Sequence, residues 1–397
     1  MAPRTKLSES LPPLLFGTAT FTYQFNVDPY ALGPVPLVQK ALQHGVRGFD
    51  TSPYYGPAES ILGDALDTSF VRQHFPRDQY HILTKVGRIG GDVFDYSPEW
   101  IRHSVARSCT RLHTDYLDVV YCHDVEFVSP AEVLGAIQEL RRIRDEEGSL
   151  RYVGICGYPV DVLCDLAEMI LRETGEPLDI VQSYANFTIQ NTRLLSHGLQ
   201  RLVNAGAWGT TRQGPPIGAM GNWHPAPDDL RKACANAAKW TEAQGEKLEV
   251  VAVRFALENW LREGAKAGSY ANPRGNGDGG FDSSPDRPTK VGVNVMGVSK
   301  IEELDETMRV WHSVLDGLAD GNDLDAGSMT PSDALTDHEW SLKRRQQIRV
   351  LAKSIHFAWA SPEPGFINKG NPAPLNFRSK PEATGILTPP PSGDDLL

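Results

Sequence analysis

Asp50, Tyr55, Lys85 and His123 are the residues of this sequence whose types and order could do chemistry together. A free phenol ionises near pH ~10, so Tyr55 exchanges protons efficiently at neutrality only where a neighbour favours its anion. An ammonium such as Lys85 close by would do that, and Asp50 would pair with Lys85 and hold it in place. His123 would hydrogen-bond the same substrate oxygen and orient it. Such a group moves a proton onto or off an oxygen while a hydride leaves or joins the adjacent carbon. The chemistry needs no metal, but it needs a hydride carrier.

These side chains need elements that converge. Residues 48–66, GFDTSPYYGPAESILGDAL, read as strand, loop and helix: Pro53 and Gly56-Pro57 punctuate the loop, and Ile61, Leu62, Ala65 and Leu66 restore helical spacing. A strand over 80–84 delivers Lys85, and one over 117–122 delivers His123. Helices between them, such as the one expected over 98–112 behind Ser97-Pro98, require parallel strands, whose ends then point into one mouth.

The GFDTSxxYG…E…LG segment, followed by Lys85 and His123 at strand ends, resembles the aldo-keto reductases from about residue 14 to 314. The resemblance implies an α/β fold, the (β/α)8 TIM barrel, with Asp50, Tyr55, Lys85 and His123 as the catalytic tetrad and a nicotinamide cofactor. It places Thr18, and with it Ala19, beside the nicotinamide after strand one, and counts Asp50 among the cofactor contacts. Relatives offer Ser-Asn at the end of strand five, where this chain has Cys156-Gly157. Gln182, after strand six, matches the other carboxamide partner, although spacing alone makes it equally a polar residue of the rim. Strand eight, over 291–296, leads through Gly297, Val298 and Ser299 into a helix over 301–314. Small residues before a helix leave backbone N–H groups for phosphate oxygens. Where NADP users place an arginine, this chain has Glu303, which would repel a 2′-phosphate and accept from a ribose 2′-OH. NAD is therefore expected, with Lys300 arguing for NADP.

With 397 residues and 40% hydrophobic content, the chain exceeds the roughly 250 residues typical of one barrel. One barrel domain over 1–360 is expected, with Gly-, Asp- and Pro-rich insertions at 262–290 and 317–335, a basic helix over 337–357, and a disordered tail over 361–397. The seventh strand is the weak point. The stretch 207–212 is short and polar, so that strand is expected to be shortened or missing, and a barrel lacking it cannot pair its edges. The cluster Gly87, Gly90, Gly91 fits no phosphate-loop spacing and reads as a flexible loop over the substrate. No spaced ligand set for a metal is read; the acidic residues of 278–286 lack the calcium-loop template.

A net charge of −11 with a pI of about 5.5 argues against a nucleic-acid surface. No apolar run suits a signal peptide or a membrane span, so a cytoplasmic protein with a small-molecule partner is expected. Five cysteines without a CxxC read as free thiols. The GPP…WHPAP run over 214–227 resembles the L-galactose and D-arabinose dehydrogenase branch, which implies oxidation of a sugar's C1 hydroxyl to the lactone. A general NADPH-dependent carbonyl reductase and a non-catalytic cofactor-binding barrel are the alternatives.

Overall fold

The computed structural model describes residues 5–207, 209–212, 228–270, 290–319, 343, 361–363 and 365–370. Eight parallel strands close a barrel in sequence order: β1 (Leu14–Gly17), β2 (Gly48–Asp50), β3 (His81–Val86), β4 (Leu117–His123), β5 (Leu150–Gly157), β6 (Ile180–Tyr184), β7 (Gly209–Arg212) and β8 (Val293–Gly297). The shortened seventh strand is present, with four residues. Thr210 is in register with Gln182 on one side and Val293 on the other, so β7 joins β6 to β8 and both edges are paired.

Alternation along the strands sorts two cores. Leu15, Leu83, Val119, Tyr121, Ile180, Val293 and Val295 fill the barrel interior. Phe16, Phe49, Ile82, Val120, Cys122 and Val153 face outward against the helices. The interior is sealed from below by α1 (Leu7–Ser10): Leu7 and Leu11 join the inner core, while Ser8 accepts from the Tyr270 amide and the Ser269 hydroxyl.

The outer helices start where their caps dictate. The Ser97 hydroxyl accepts from the Trp100 amide to open α5 (Pro98–Arg111). Ser129 and Glu132 form a reciprocal capping box on α6 (Pro130–Arg142), which runs into a wider turn over Ile143–Glu147. The other helices are α2 (Pro34–Gln43), α3 (Ala58–Leu66), α4 (Ser69–His74), α7 (Val160–Thr174), α8 (Leu199–Asn204), α9 (Asp228–Ala243), α10 (Leu248–Glu263) and α11 (Ile301–Ala319).

Three boundaries differ from expectation. The first insertion was expected to open at 262, but α10 continues to Glu263, a 3-10 turn follows over Gly264–Ala267, and Ser269 bridges to Val291. Tryptophan packing explains this: Trp260 is fully buried, and the backbone beyond it is tied to strand eight by the Gly292 amide donating to the Leu261 carbonyl. Helix α11 runs to Ala319, three residues into the second expected insertion. The tail does not become free at 361. Ser361 hydrogen-bonds Glu126, Phe366 packs against Phe94 and Phe127, and buried Asn368 exchanges hydrogen bonds with the Phe94 backbone. The helix expected over 337–357 lies outside the described residues except for Lys343, as do 271–289, 320–342 and the tail from 371.

Candidate active site

Every residue of the expected tetrad lies at the carboxyl end of a strand or in the loop that follows it, on one side of the barrel. Asp50 ends β2 and is fully buried; Lys85, on β3, is 1% exposed. An ammonium and a carboxylate this deep are tolerated only as a hydrogen-bonded pair. Lys85 Nζ donates to Asp50 Oδ1 at 2.8 Å, to Oδ2 at 2.9 Å and to the Thr51 carbonyl at 2.8 Å. Gln182 adds a fourth contact, its Nε2 donating to Asp50 Oδ2 at 3.0 Å.

The Tyr55 ring stands over this pair, with Lys85 Nζ 5.1 Å from its centroid. The His123 ring meets Tyr55 edge-on at 5.7 Å and 85°, and Tyr54 at 5.8 Å and 78°. His123 is held from both ends. Its Nδ1 lies 3.0 Å from Ser52 Oγ, and its backbone carbonyl accepts from the Tyr96 hydroxyl at 2.6 Å. Burial raises the Tyr96 hydroxyl well above the usual phenol range, so it serves there as a protonated donor. The structure thus brings together all four residues that the sequence singles out.

Several contributors are invisible in the sequence. Ser52 reaches His123 across 71 residues, and nothing in its local pattern distinguishes it from a turn serine. Arg88 lies 3.9 Å above the Tyr54 ring and pairs with Asp124, the residue after His123. The loop over 87–96 was expected to be flexible. Instead Arg88 and Phe94 bridge to each other, Ile89 and Gly90 donate to the Val93 carbonyl, and Asn368 pins Phe94 from outside. Burial pushes the Cys156 thiol at the end of β5 well above its ordinary range, opposed by the charge of Lys85.

The expected cofactor residues divide. Thr18 is fully buried and its hydroxyl donates to the Asp50 carbonyl at 3.2 Å, so its visible task is to fix Asp50. Gly297 is exposed at the end of β8, Val298 is buried, and the loops after β1 and β8 are tied by Thr20 Oγ1 donating to the Val298 carbonyl at 2.8 Å. The Ser299 amide, expected to be available to a phosphate, donates at 2.7 Å to Glu303 Oε2. A carboxylate at the first turn of α11 answers the positive helix end.

The comparisons with known proteins agree with this geometry. Residues 13–317 match the aldo/keto reductase family. This chain belongs to that family. The aldo-keto reductase is therefore an oxidoreductase, and family membership brings a nicotinamide cofactor. It is 40% identical over 265 residues to the D-arabinose 1-dehydrogenase of Saccharomyces cerevisiae, covering 64% of this chain and 78% of that enzyme. To the L-galactose dehydrogenase of Arabidopsis thaliana it is 34% identical over 241 residues, covering 57% and 70%. An aldo-keto reductase of Bacillus halodurans shares the fold, with a TM-score of 0.53 at 19% identity over 89% of this chain and 97% of that one.

The residues present fit such a cofactor at its nicotinamide end. With Nε2 of Gln182 committed to Asp50, its carbonyl oxygen is the atom available to accept from a carboxamide N–H, beside the tetrad. At the other end, phosphate oxygens would compete with Glu303 for the Ser299 amide. Among the described residues no helix is long and apolar enough to cross a membrane, and all five cysteines are free thiols.

Proposed function

We propose that this protein is an aldose 1-dehydrogenase, oxidising the C1 hydroxyl of a sugar of the D-arabinose, L-galactose or L-fucose type to the lactone. The observation that carries the reading is the buried Asp50–Lys85 pair beneath the Tyr55 ring, with His123 edge-on to that ring. The sugar-dehydrogenase names of two relatives supply the substrate class.

In this reading Tyr55 takes the proton of the C1 hydroxyl. Removing the phenol from water disfavours its anion, and the nearby ammonium of Lys85 offsets that cost. Asp50 keeps the ammonium in place, Gln182 and Thr18 keep Asp50 in place, and Ser52 sets which ring nitrogen of His123 faces the substrate oxygen. Bound nicotinamide dinucleotide supplies the hydride acceptor. Gln182 would hold its carboxamide, and the backbone of Gly297, Val298 and Ser299 its phosphate end. Glu303 supports NAD over NADP, because a carboxylate at that helix end repels an additional phosphate. The non-catalytic alternative loses its motive, since it rested on an open seventh strand.

The test is direct. Full-length protein with NAD⁺ and each of the three sugars is expected to produce the absorbance of reduced nicotinamide together with an aldonolactone, and to do so less efficiently with NADP⁺. Turnover confined to aldehydes and reduced cofactor, or no turnover, overturns the reading.

A further inference from the structure

The ends of β4 and β5 bring together three side chains of ligand type. His123 and Cys156 are in register across the ladder, and the donor atoms of His123, Asp124 and Cys156 all lie within 4.8 Å of one another. Asp124 is turned toward the other two by a left-handed backbone with φ of 56°. A non-glycine residue accepts that conformation at a cost of order 1 kcal/mol, and aspartate tolerates it better than most. In that conformation Asp124 Oδ2 stands 3.6 Å from His123 Nε2. The proposed oxidation uses His123 alone of the three.

We propose that His123, Asp124 and Cys156 form a binding site for a thiophilic divalent cation of the zinc type, and that the bound cation inhibits the enzyme by occupying His123 Nε2. Imidazole nitrogen, thiolate sulfur and carboxylate oxygen are the donor set that zinc prefers, and three protein ligands leave a fourth position at the barrel mouth. The imidazole is prepared for this. Ser52 Oγ already accepts from the Tyr54 amide at 3.1 Å and can accept again from His123 Nδ1–H, which leaves Nε2 with a lone pair. A tetrahedral zinc site has donor-to-donor edges of about 3.5 Å, so the cation draws the cluster together by about 1 Å, through side-chain torsions of Cys156 and Asp124. The Cys156 thiol gives its proton to solvent on binding. Thiolate and carboxylate then balance the two positive charges, and the carboxylate has lone pairs enough to keep Arg88 as well.

Binding does not depend on the proposed oxidation; inhibition rests on it, and the two are measured separately. Full-length protein titrated with Co²⁺ is expected to develop a sulfur-to-cobalt charge-transfer band at one equivalent, removed by Zn²⁺. The band is expected to persist in the double variant Cys109→Ser, Cys234→Ser, which lacks the two half-buried thiols, and to vanish in Cys156→Ser. Should Cys156→Ser fail to fold, Zn²⁺ must instead protect Cys156 of the unaltered protein from alkylation, read by mass spectrometry. Zn²⁺ is expected to inhibit sugar oxidation reversibly, with the half-inhibiting concentration raised at least about tenfold in Asp124→Asn. A band absent from the unaltered protein, a band that survives Cys156→Ser, or unprotected Cys156 overturns the site. A protein that shows the band but oxidises no sugar sinks the functional reading and leaves the site standing.

Discussion

Lys85 and Asp50 illustrate how a buried ion pair constrains substitution. Each is almost without solvent contact, and among the described residues the carboxylate has only Lys85 and Gln182 as side-chain donors. Lys85→Met leaves a buried carboxylate without its counter-charge, which costs roughly 3–5 kcal/mol. The double variant Lys85→Met, Asp50→Asn removes both charges and is expected to regain most of that stability while remaining inactive. Denaturant midpoints of the three proteins check this. Tyr55→Phe separates chemistry from folding in the opposite way, because it keeps the ring and deletes only the hydroxyl that carries the transferable proton. Sugar oxidation is expected to fall at least about 100-fold, with cofactor binding by fluorescence nearly unchanged. Retention of most activity would defeat the acid–base assignment.

The segment over 361–370 acts at the scale of elements. It clamps the loop over 87–96, whose Arg88 and Tyr96 in turn hold Asp124 and His123 at the end of β4. Glu126 is the hinge of this arrangement. Its Oε1 accepts from the Tyr158 amide at 3.1 Å and the Ser361 hydroxyl at 3.0 Å, while Oε2 is buried without a hydrogen-bond partner among the described residues. Burial first, and then the charge of Asp124, raise its carboxyl from 4.5 to about 8, so it is protonated at neutrality. The folded state thus holds a proton that the unfolded state releases at lower pH. The associated stability is full below about pH 4.5 and is lost as pH rises toward about 8. Glu126→Gln is expected to flatten that decline in Tm between pH 5 and 8; an unchanged slope would show that Glu126 does not titrate there.

Closure of the barrel is a property of the whole molecule, and it depends on four residues. Strand β7 takes its order from the backbones of β6 and β8. Thr210→Pro removes a ladder N–H donor and is expected to cost about 1–3 kcal/mol. Because Thr210 is in register with Gln182, the same change is expected to lower activity in the folded fraction. Calorimetry and the specific activity of refolded protein check the two effects. The polarity of Thr210, Thr211 and Arg212 hid this strand, since apolar run length is the signal by which a barrel strand is read.

The sequence by itself determined the barrel and that Asp50, Tyr55, Lys85 and His123 meet at one mouth of it. Strand-to-helix spacing is a local property, and residues at successive strand ends must share a mouth once the strands are parallel. Only the tertiary structure decided what holds the site. Ser52 on His123, Tyr96 on the His123 backbone and Asn368 on Phe94 join residues 71, 27 and 274 positions apart. Such contacts depend on where distant loops come to rest, and no local periodicity encodes them. The composition of 361–370 suggests a free tail for the same reason: its few apolar groups gain an ordered place only against the Phe94 and Phe127 rings that other elements have already positioned.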